Sequence, residues 1–268
     1  MTSLIKNIQV YFNYLESLSD PRSKGWFMVD SVVPALSCFI IYILIVFIGP
    51  KIMRNRKPFK LNNLLIFYNF FLVALNLYIT LKILTSAYKL NYKFFCQPYQ
   101  RIISENDIQI VKAMWLLYMS KIIELNDTFF FILRKKDSQL SFLHIYHHSL
   151  IVLAFWFGVK WIPSGSVTLG SAANAFVHVV MYFYYGLSAI GVETKRILWL
   201  KKSVTIIQLI QFTAFILFMI NGFTLKCEFP LWIIYILLPN CLLFIILFGQ
   251  FYLKTYTKDD KNCKKKIN

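Results

Sequence analysis

Long apolar stretches separated by short polar and basic segments run along the whole chain. A helix needs about 20 consecutive apolar residues to cross a bilayer, and stretches near that length occur repeatedly here. Their approximate ranges are 29–48, 61–81, 108–133, 142–160, 167–187, 204–223 and 231–253. The pattern predicts an all-α integral membrane protein with seven transmembrane helices.

The composition agrees with this interpretation. Hydrophobic residues make up 58% of the 268 residues, aromatic residues make up 18%, and the mean hydropathy is +0.57, which is not typical of a soluble domain. The first apolar stretch begins only after about 28 mixed residues that include Asp20, Pro21 and Arg22. This N-terminal segment therefore does not resemble a cleavable signal peptide.

The basic residues are distributed unevenly. Of the 29 Lys and Arg residues, 18 lie in segments 49–60, 134–140, 188–202 and the tail after residue 253, whereas eight lie in segments 1–28, 82–107 and 224–230. The positive-inside rule then places the first group in the cytosol. The predicted layout is a luminal N-terminal segment (1–28), a seven-helix membrane domain (29–253) and a cytosolic basic tail (254–268).

The net charge of +17 has two interpretations besides nucleic acid binding. A basic cytosolic face attracts anionic lipid headgroups or a polyanionic substrate such as a nucleotide thioester. Alternatively, these side chains only determine the topology. Because the charge follows the loops of a membrane protein, we expect no nucleic acid partner.

The five cysteines are too few for a disulfide scaffold and include no C-x-x-C pair. Cys96 and Cys227 fall in loops predicted on the luminal side, whereas Cys38 and Cys241 lie in apolar stretches and Cys263 in the tail. In an oxidising lumen the first two are predicted to form a disulfide. The alternative is two free thiols, because pairing requires Cα atoms within about 7 Å.

Four clusters of polar residues interrupt the apolar stretches. Each charged residue inside a span costs about 2.5 to 3.5 kcal/mol on insertion scales, so such residues are functional candidates. In "KIIELNDTFF" the spacings of three and four place Lys121, Glu124, Asp127 and Thr128 close to one helical face. Alternatively, Lys121 and Glu124 only neutralise each other at the membrane boundary.

The segment "SFLHIYHHSL" contains three of the chain's four histidines. His144, His147 and His148 lie at positions i, i+3 and i+4, which places three imidazoles on one side of a helix. We expect them to face the interior of the bundle, with ordinary hydrogen-bonded core histidines as the alternative. The neighbouring Ser149 hydroxyl is expected to bond to its own helix.

The fifth and sixth stretches add the other two clusters. An amide, an imidazole, a thioether and a phenol share one stripe of the fifth stretch, at Asn174, His178, Met181 and Tyr185. The adjacent Tyr182 and Tyr184 are alternatively part of an interfacial aromatic belt. The sixth stretch carries Thr205, Gln208 and Gln211. Alternatively, these side chains only hold neighbouring helices together through hydrogen bonds. All four clusters lie toward predicted cytosolic ends, so we expect them to converge in one polar pocket.

Clustered imidazoles are suited to two kinds of chemistry. One zinc ion held by three histidines, with Asp127 or Glu124 as a further ligand or base, would make a membrane metallohydrolase. Without a metal, a neutral imidazole can attack a thioester and then leave from the acyl-imidazole, which is acyl transfer. A transporter of an anionic substrate would explain the buried polarity but not the three histidines on one turn.

Together the four clusters resemble the very-long-chain fatty acid elongase (ELO) family of condensing enzymes. The matching patterns are K-x-x-E-x-x-D-T from Lys121, H-x-x-H-H from His144, N-x-x-x-H-x-x-M-Y-x-Y-Y from Asn174 and T-x-x-Q-x-x-Q from Thr205. The resemblance covers about residues 20 to 255. The context "QLSFLHIYHH" is similar to the branch that elongates very-long-chain and polyunsaturated acyl chains.

The resemblance implies a fold and a reaction. Six of seven transmembrane helices would form two inverted three-helix units around an acyl tunnel that opens to the cytosol. The enzyme would add two carbons from malonyl-CoA to a long-chain or very-long-chain acyl-CoA, releasing CO2 and CoA, with no cofactor and no metal. The implied partners are acyl-CoA, malonyl-CoA, the lipid bilayer and the reductases and dehydratase of the elongation cycle, and a homo-oligomer is left open.

The resemblance also implies roles for the polar residues. His147 is predicted to accept the acyl group, with His178 as its partner in proton transfer or in holding the second substrate. His144 and His148 complete the predicted catalytic histidines. Asn174 and Gln208 would donate hydrogen bonds to the developing oxyanion or enolate. Lys121 would bind CoA phosphate or stabilise nearby carboxylates. The remaining predicted substrate-binding residues are Glu124, Asp127, Thr128, Met181, Tyr182, Tyr185, Thr205 and Gln211.

The chain ends "KNCKKKIN", with Lys265 and Lys266 fourth and third from the C-terminus. This spacing resembles the dilysine retrieval signal of endoplasmic reticulum membrane proteins. The alternative is a basic tail whose charge alone attracts anionic lipid. We therefore predict a multi-pass protein of the endoplasmic reticulum membrane with a cytosolic C-terminus.

Overall fold

The computed structural model describes residues 16–225, 227 and 231–257 and, before them, residues 6, 7, 10, 13 and 14. The predicted retrieval lysines Lys265 and Lys266 lie outside these described residues, as does Cys263. Eight α-helices follow one another in the described part of the chain. They are α1 (Val32–Met53), α2 (Asn62–Lys89), α3 (Glu105–Glu124), α4 (Asn126–Leu133), α5 (Phe142–Trp161), α6 (Val167–Ile190), α7 (Thr194–Thr224) and α8 (Leu231–Tyr252).

Six of these helices, all except α3 and α4, are long and apolar enough to cross a membrane, which makes the chain a multi-pass membrane protein. Helix α3 differs because five of its 20 residues are charged. The predicted count of seven spans is therefore not established by length and apolarity. It stays a prediction, as does the arrangement of two inverted units around a tunnel.

The third predicted stretch, 108–133, is wrong as one continuous helix, because it divides at Leu125 into α3 and α4. The Asn126 side chain donates a hydrogen bond of 2.8 Å to the Ile123 carbonyl. The Leu125 N–H donates to the carbonyl of Ile122, three residues back. Short polar side chains that bond to nearby backbone compete with helical hydrogen bonds, which explains the break.

The bundle is centred on α2, which packs along both α6 and α3. Helix α5 packs against α3 and α1, and α7 packs against α6 and α8. Fully buried residues of α2 and α3, including Ile79, Ile83, Ile110 and Leu117, meet Val152 of α5 in the main core. This packing places α3 against both α5 and α6, and these three helices carry most of the polar clusters.

Two hydrogen bonds each join a pair of segments that the charge pattern places on the same side of the membrane. At one end, the Arg22 guanidinium donates to the carbonyl of Ile102 in the loop after α2 at 3.2 Å. At the other end, the Phe59 N–H donates to the Leu133 carbonyl at 3.0 Å. The assignment of the second end to the cytosol stays a prediction.

A buried ion pair anchors the segment before α1. The side chains of Asp20 and Arg22 are both 0% exposed and lie 2.6 Å apart at their closest. Tyr99 donates to Asp20 at 2.6 Å, and Arg22 donates to the Ser164 hydroxyl at 2.9 Å. Burial disfavours the charged carboxylate, but the hydrogen bonds from Arg22 and Tyr99 outweigh it and hold the pKa of Asp20 below its ordinary value. The N-terminal segment is thereby joined to the loops after α2 and α5.

A disulfide joins Cys96, in the loop after α2, to Cys227, in the loop after α7, with Cα atoms 5.6 Å apart. The adjacent Gln97 exchanges two backbone hydrogen bonds with the Ser166 hydroxyl, at 3.1 and 2.8 Å. The disulfide therefore connects the pair of helices α7 and α8 to the end of the bundle that carries Asp20 and Arg22.

Replacing Cys96 by Ser should lower the thermal unfolding midpoint of the purified protein. The disulfide closes a loop with a sequence separation of 131 residues, and the chain-entropy relation then sets an upper limit of about 5 kcal/mol. Thermal unfolding in detergent measures the effect. Cys38→Ser, which changes a free cysteine, is the control. Equal midpoints for both variants would contradict the expectation.

Candidate active site

Three of the four polar clusters meet at the place where the helices α3, α4, α5 and α6 come together. The first contact is a buried triad of Lys121, Glu124 and His178. Lys121 Nζ lies 3.1 Å from both carboxylate oxygens of Glu124, and Glu124 Oε2 lies 3.2 Å from His178 Nδ1. Lys121 and Glu124 are 0% exposed. Lys121 is therefore enclosed beside a carboxylate and an imidazole, and a contact with CoA phosphate stays a prediction.

The triad orients the His178 ring. Its Nδ1 lies within reach of Glu124 and also 3.3 Å from Lys121 Nζ, so its hydrogen bond depends on the tautomer. When Nδ1 carries the proton and donates to Glu124, the other ring nitrogen keeps a free lone pair. The His178 ring lies 6.4 Å from the ring of His147 at an interplanar angle of 28°. A potential base thus faces the middle histidine of the α5 cluster.

The α5 histidines form a compact group. The ring centroids of His144 and His148 are 4.2 Å apart, and those of His147 and His148 are 5.2 Å apart. His148 is 6% exposed, and its Nδ1 is buried without a hydrogen bond in the described part of the chain. Ser149 donates to the carbonyl of Tyr146 at 2.9 Å, within its own helix. The group therefore offers nitrogen atoms that are not all occupied by protein partners.

A chain of hydroxyl groups holds His144. Its Nε2 lies 2.7 Å from Thr128 Oγ1, which lies 3.1 Å from the Tyr42 hydroxyl. Thr128 is 0% exposed and Tyr42 is 3% exposed. The Tyr42 ring also stacks on His148 at 6.4 Å. The predicted substrate-binding Thr128 thus contacts a histidine directly.

A second carboxylate is bound by a tyrosine of α6. Tyr182 is 0% exposed and donates to Asp127 Oδ2 at 2.7 Å. Tyr182 therefore does not belong to an interfacial belt, which corrects that alternative for this residue. Met181 and Tyr185 are partly buried and pack against the same hydrophobic cluster as Tyr182.

Asn174 lies one turn before His178 on α6. Its side-chain oxygen is buried and has no hydrogen bond among the described residues. An amide in this state can turn toward a ligand, because none of the described protein groups fixes its oxygen.

The fourth cluster, on α7, is not joined to the others by hydrogen bonds in the part of the chain described. Thr205 is buried and donates to the Lys201 carbonyl of its own helix at 3.5 Å. Gln208 and Gln211 are partly buried, and neither bonds to a histidine among the described residues. Convergence of this cluster with the other three in one pocket stays a prediction. Helix α7 packs mainly on α8 and α6.

The sequence model of the ELO family (GNS1/SUR4) matches residues 27–264. The chain is 40% identical over 259 residues to very long chain fatty acid elongase 5 of Homo sapiens, covering 97% of this chain and 86% of that protein. The chain belongs to the ELO family. The Rattus norvegicus elongase 5 gives the same identity and coverage. Very long chain fatty acid elongase 4 of Macaca mulatta is 38% identical over 251 residues, covering 94% of this chain and 80% of that protein.

The donor arrangement of this ELO chain gives no support to the metallohydrolase interpretation. In the part of the chain that the structure describes, no group of three or more His, Cys, Asp or Glu side chains is arranged to hold a metal ion. Thr128 engages His144 Nε2, and Glu124 engages His178 Nδ1. These contacts direct two of the four imidazoles toward protein partners.

Sequence reasoning missed several residues of this ELO site. Tyr42 reaches it from α1, and Asn240 and Phe244 reach it from α8. Asn240 follows a proline in an otherwise apolar stretch. An isolated amide in such a stretch is a sequence signal for a polar contact between helices. Tyr42 carries no such signal, because its neighbours in α1 are uniformly apolar.

Proposed function

We propose that this chain is the condensing enzyme of fatty acid elongation, an acyltransferase that extends a long-chain or very-long-chain acyl-CoA by two carbons. Near-full-length relatives named very long chain fatty acid elongases support the proposal. The observation that carries it is the pair of stacked imidazoles, His147 and His178, with the latter bound to a buried carboxylate. A nucleophile, a base and a group that orients the base are what covalent acyl transfer requires.

In the first half-reaction, a nitrogen of His147 attacks the thioester carbonyl of acyl-CoA. The C–S bond breaks, and the ring proton that His147 gives up passes to the CoA thiolate, with His178 as the carrier. The products are acyl-His147 and free CoA. Glu124 assists because it holds His178 with its second nitrogen free to accept a proton.

In the second half-reaction, malonyl-CoA loses CO2, and the electron pair of the broken C–C bond forms an enolate. The enolate carbon attacks the acyl carbonyl, the C–N bond to His147 breaks, and the imidazole recovers a proton from solvent. The products are 3-oxoacyl-CoA and CO2. Asn174, and Gln208 from α7, would donate hydrogen bonds to the negative oxygen in each half-reaction.

The other polar residues have supporting roles in this proposal. Lys121 neutralises Glu124, Thr128 orients His144, and Asp127 holds Tyr182. Met181, Tyr185, Thr205 and Gln211 would line the path of the substrates. The acyl chain would lie in an apolar tunnel whose closed end limits its length, in a protein of the endoplasmic reticulum membrane with a cytosolic basic tail.

Purified protein should incorporate labelled malonyl-CoA into 3-oxoacyl-CoA when supplied with a panel of saturated and polyunsaturated acyl-CoAs. Chelators should leave the rate unchanged, because the proposed nucleophile is an imidazole rather than a metal-bound water. Product analysis by mass spectrometry checks both points. Failure to extend any acyl-CoA would refute the function, and inhibition by chelators that zinc or iron reverses would favour the metalloenzyme.

A further inference from the structure

Helix α8 reaches α5 at Tyr146 and His147, within the histidine group. Tyr146, which precedes His147 in α5, donates a hydrogen bond of 2.8 Å to Asn240 Oδ1 of α8. Elsewhere α8 packs mainly against α7 and exposes large apolar side chains such as Tyr235 at 74% and Ile246 at 54%. A polar side chain in such a helix is costly unless it is hydrogen-bonded. The contact with Tyr146 supplies that hydrogen bond for Asn240.

The amide of Asn240 is oriented from both sides. Its Nδ2 donates to the Ile236 carbonyl of its own helix at 2.7 Å, which leaves Oδ1 facing Tyr146. The preceding residue, Pro239, lies inside α8 and removes one backbone donor there. The hydrogen bond therefore joins a defined acceptor on α8 to the residue next to His147.

Phe244, one turn further along α8, contacts His147 itself. Its ring centroid lies 5.6 Å from that of His147 and 5.7 Å from that of Tyr146. On its other side it stacks on Phe212 of α7 at 5.1 Å, with the planes 16° apart. The His147 ring is thus bounded by Phe244 on one side and by His178 on another.

We propose that Tyr146, Asn240 and Phe244 form a latch that positions the His147 ring opposite His178. The hydrogen bond holds α8 against α5, and Phe244 then limits rotation of the imidazole. The latch rests on the proposed function, in which His147 carries the acyl group. Its members are positioning residues that act through His147.

The test is a double-mutant cycle of Tyr146→Phe and Asn240→Leu. Tyr146→Phe keeps the ring and removes only the hydroxyl. Each single variant should lower kcat about tenfold with KM for acyl-CoA changed less than about twofold, because small displacements of a reacting group act mainly on the chemical step. The double variant should be no slower than the slower single variant, because the pair acts as one unit. Tyr235→Phe and Gln250→Leu, exposed positions of the same helix, are the matched controls.

A second measurement needs no turnover. Carbethoxylation of His147 by diethyl pyrocarbonate, followed by peptide mass spectrometry, reports how freely the ring is exposed to a reagent. Phe244→Leu and Asn240→Leu should raise the rate at His147 severalfold and leave the rate at His144 unchanged, because His144 is held by Thr128.

The outcomes are distinct. Variants that match their controls in both kcat and His147 modification would overturn the latch, and so would single effects that multiply in the double variant. Lower thermal stability with unchanged kcat and modification would indicate a merely structural contact and would also overturn it. Wild-type protein that extends no acyl-CoA would refute the proposed function instead, while the modification rates would still decide whether α8 holds His147.

Discussion

Replacement of His147 by Gln should reduce acyl-CoA elongation by about a thousandfold or more, because glutamine keeps much of the volume and polarity but is not a nucleophile. His147 has the central position in the site: its ring lies 5.2 Å from that of His148, 5.6 Å from that of Phe244 and 6.4 Å from that of His178. Initial rates of labelled malonyl-CoA incorporation measure the effect. Thermal unfolding verifies that the variant remains folded.

Two comparisons make this result specific. Ser149→Ala, two positions further along the same helix, removes a hydroxyl that donates to the Tyr146 carbonyl of that helix and should leave the rate close to wild type. Wild-type protein incubated with acyl-CoA alone should carry an acyl group on the peptide that contains His147, and His147→Gln should not. A variant that retains more than a tenth of the wild-type rate would exclude His147 as the nucleophile.

Replacement of Lys121 by Met should destabilise the protein by about 3 to 5 kcal/mol, because it leaves the Glu124 carboxylate buried without its cation. Both side chains are 0% exposed, so the carboxylate that remains is not solvated at the surface. Thermal unfolding in detergent measures the change. Lys112→Met, at an exposed position of the same helix, is the matched control and should change the midpoint little.

The double variant Lys121→Met with Glu124→Leu separates stability from catalysis. Removing both charges should restore most of the stability, since a buried ion pair and an apolar pair of similar volume are often equivalent. Activity should remain low, because His178 loses the carboxylate that orients it. A Lys121→Met protein that unfolds no earlier than Lys112→Met would show that the buried pair is not needed for stability.

The local parts of the site could be predicted from the sequence because they depend on helical periodicity alone. The i, i+3, i+4 spacing of the α5 histidines requires neighbouring imidazoles, and the structure has their centroids 4.2 and 5.2 Å apart. The pairing of Lys121 with Glu124 follows from the same geometry. The division at Leu125 was missed because Asn126 competes with the helix through a local hydrogen bond that hydropathy does not register.

Contacts between helices were harder to predict from the sequence than contacts within one helix. The sequence indicated that α3, α5 and α6 carry polar faces, but it did not indicate that Asp127 binds Tyr182 or that Thr128 binds His144. The α7 cluster carries a similar polar pattern and yet lacks a hydrogen bond to the histidines among the described residues. A polar face in a membrane helix indicates that some partner exists, but several helices can supply it.

The sequence by itself thus determined the membrane class, the helical stretches apart from the break at Leu125, the histidine group and the family. The tertiary structure decided which helix supplies each partner, including Tyr42 from α1 and Asn240 and Phe244 from α8. The physical reason is that α1 and α8 are apolar on nearly every side and lie in a lipid as apolar as the protein core. Hydropathy then cannot distinguish a lipid-facing side from a buried one, so their rotation is set only by packing and by single hydrogen bonds.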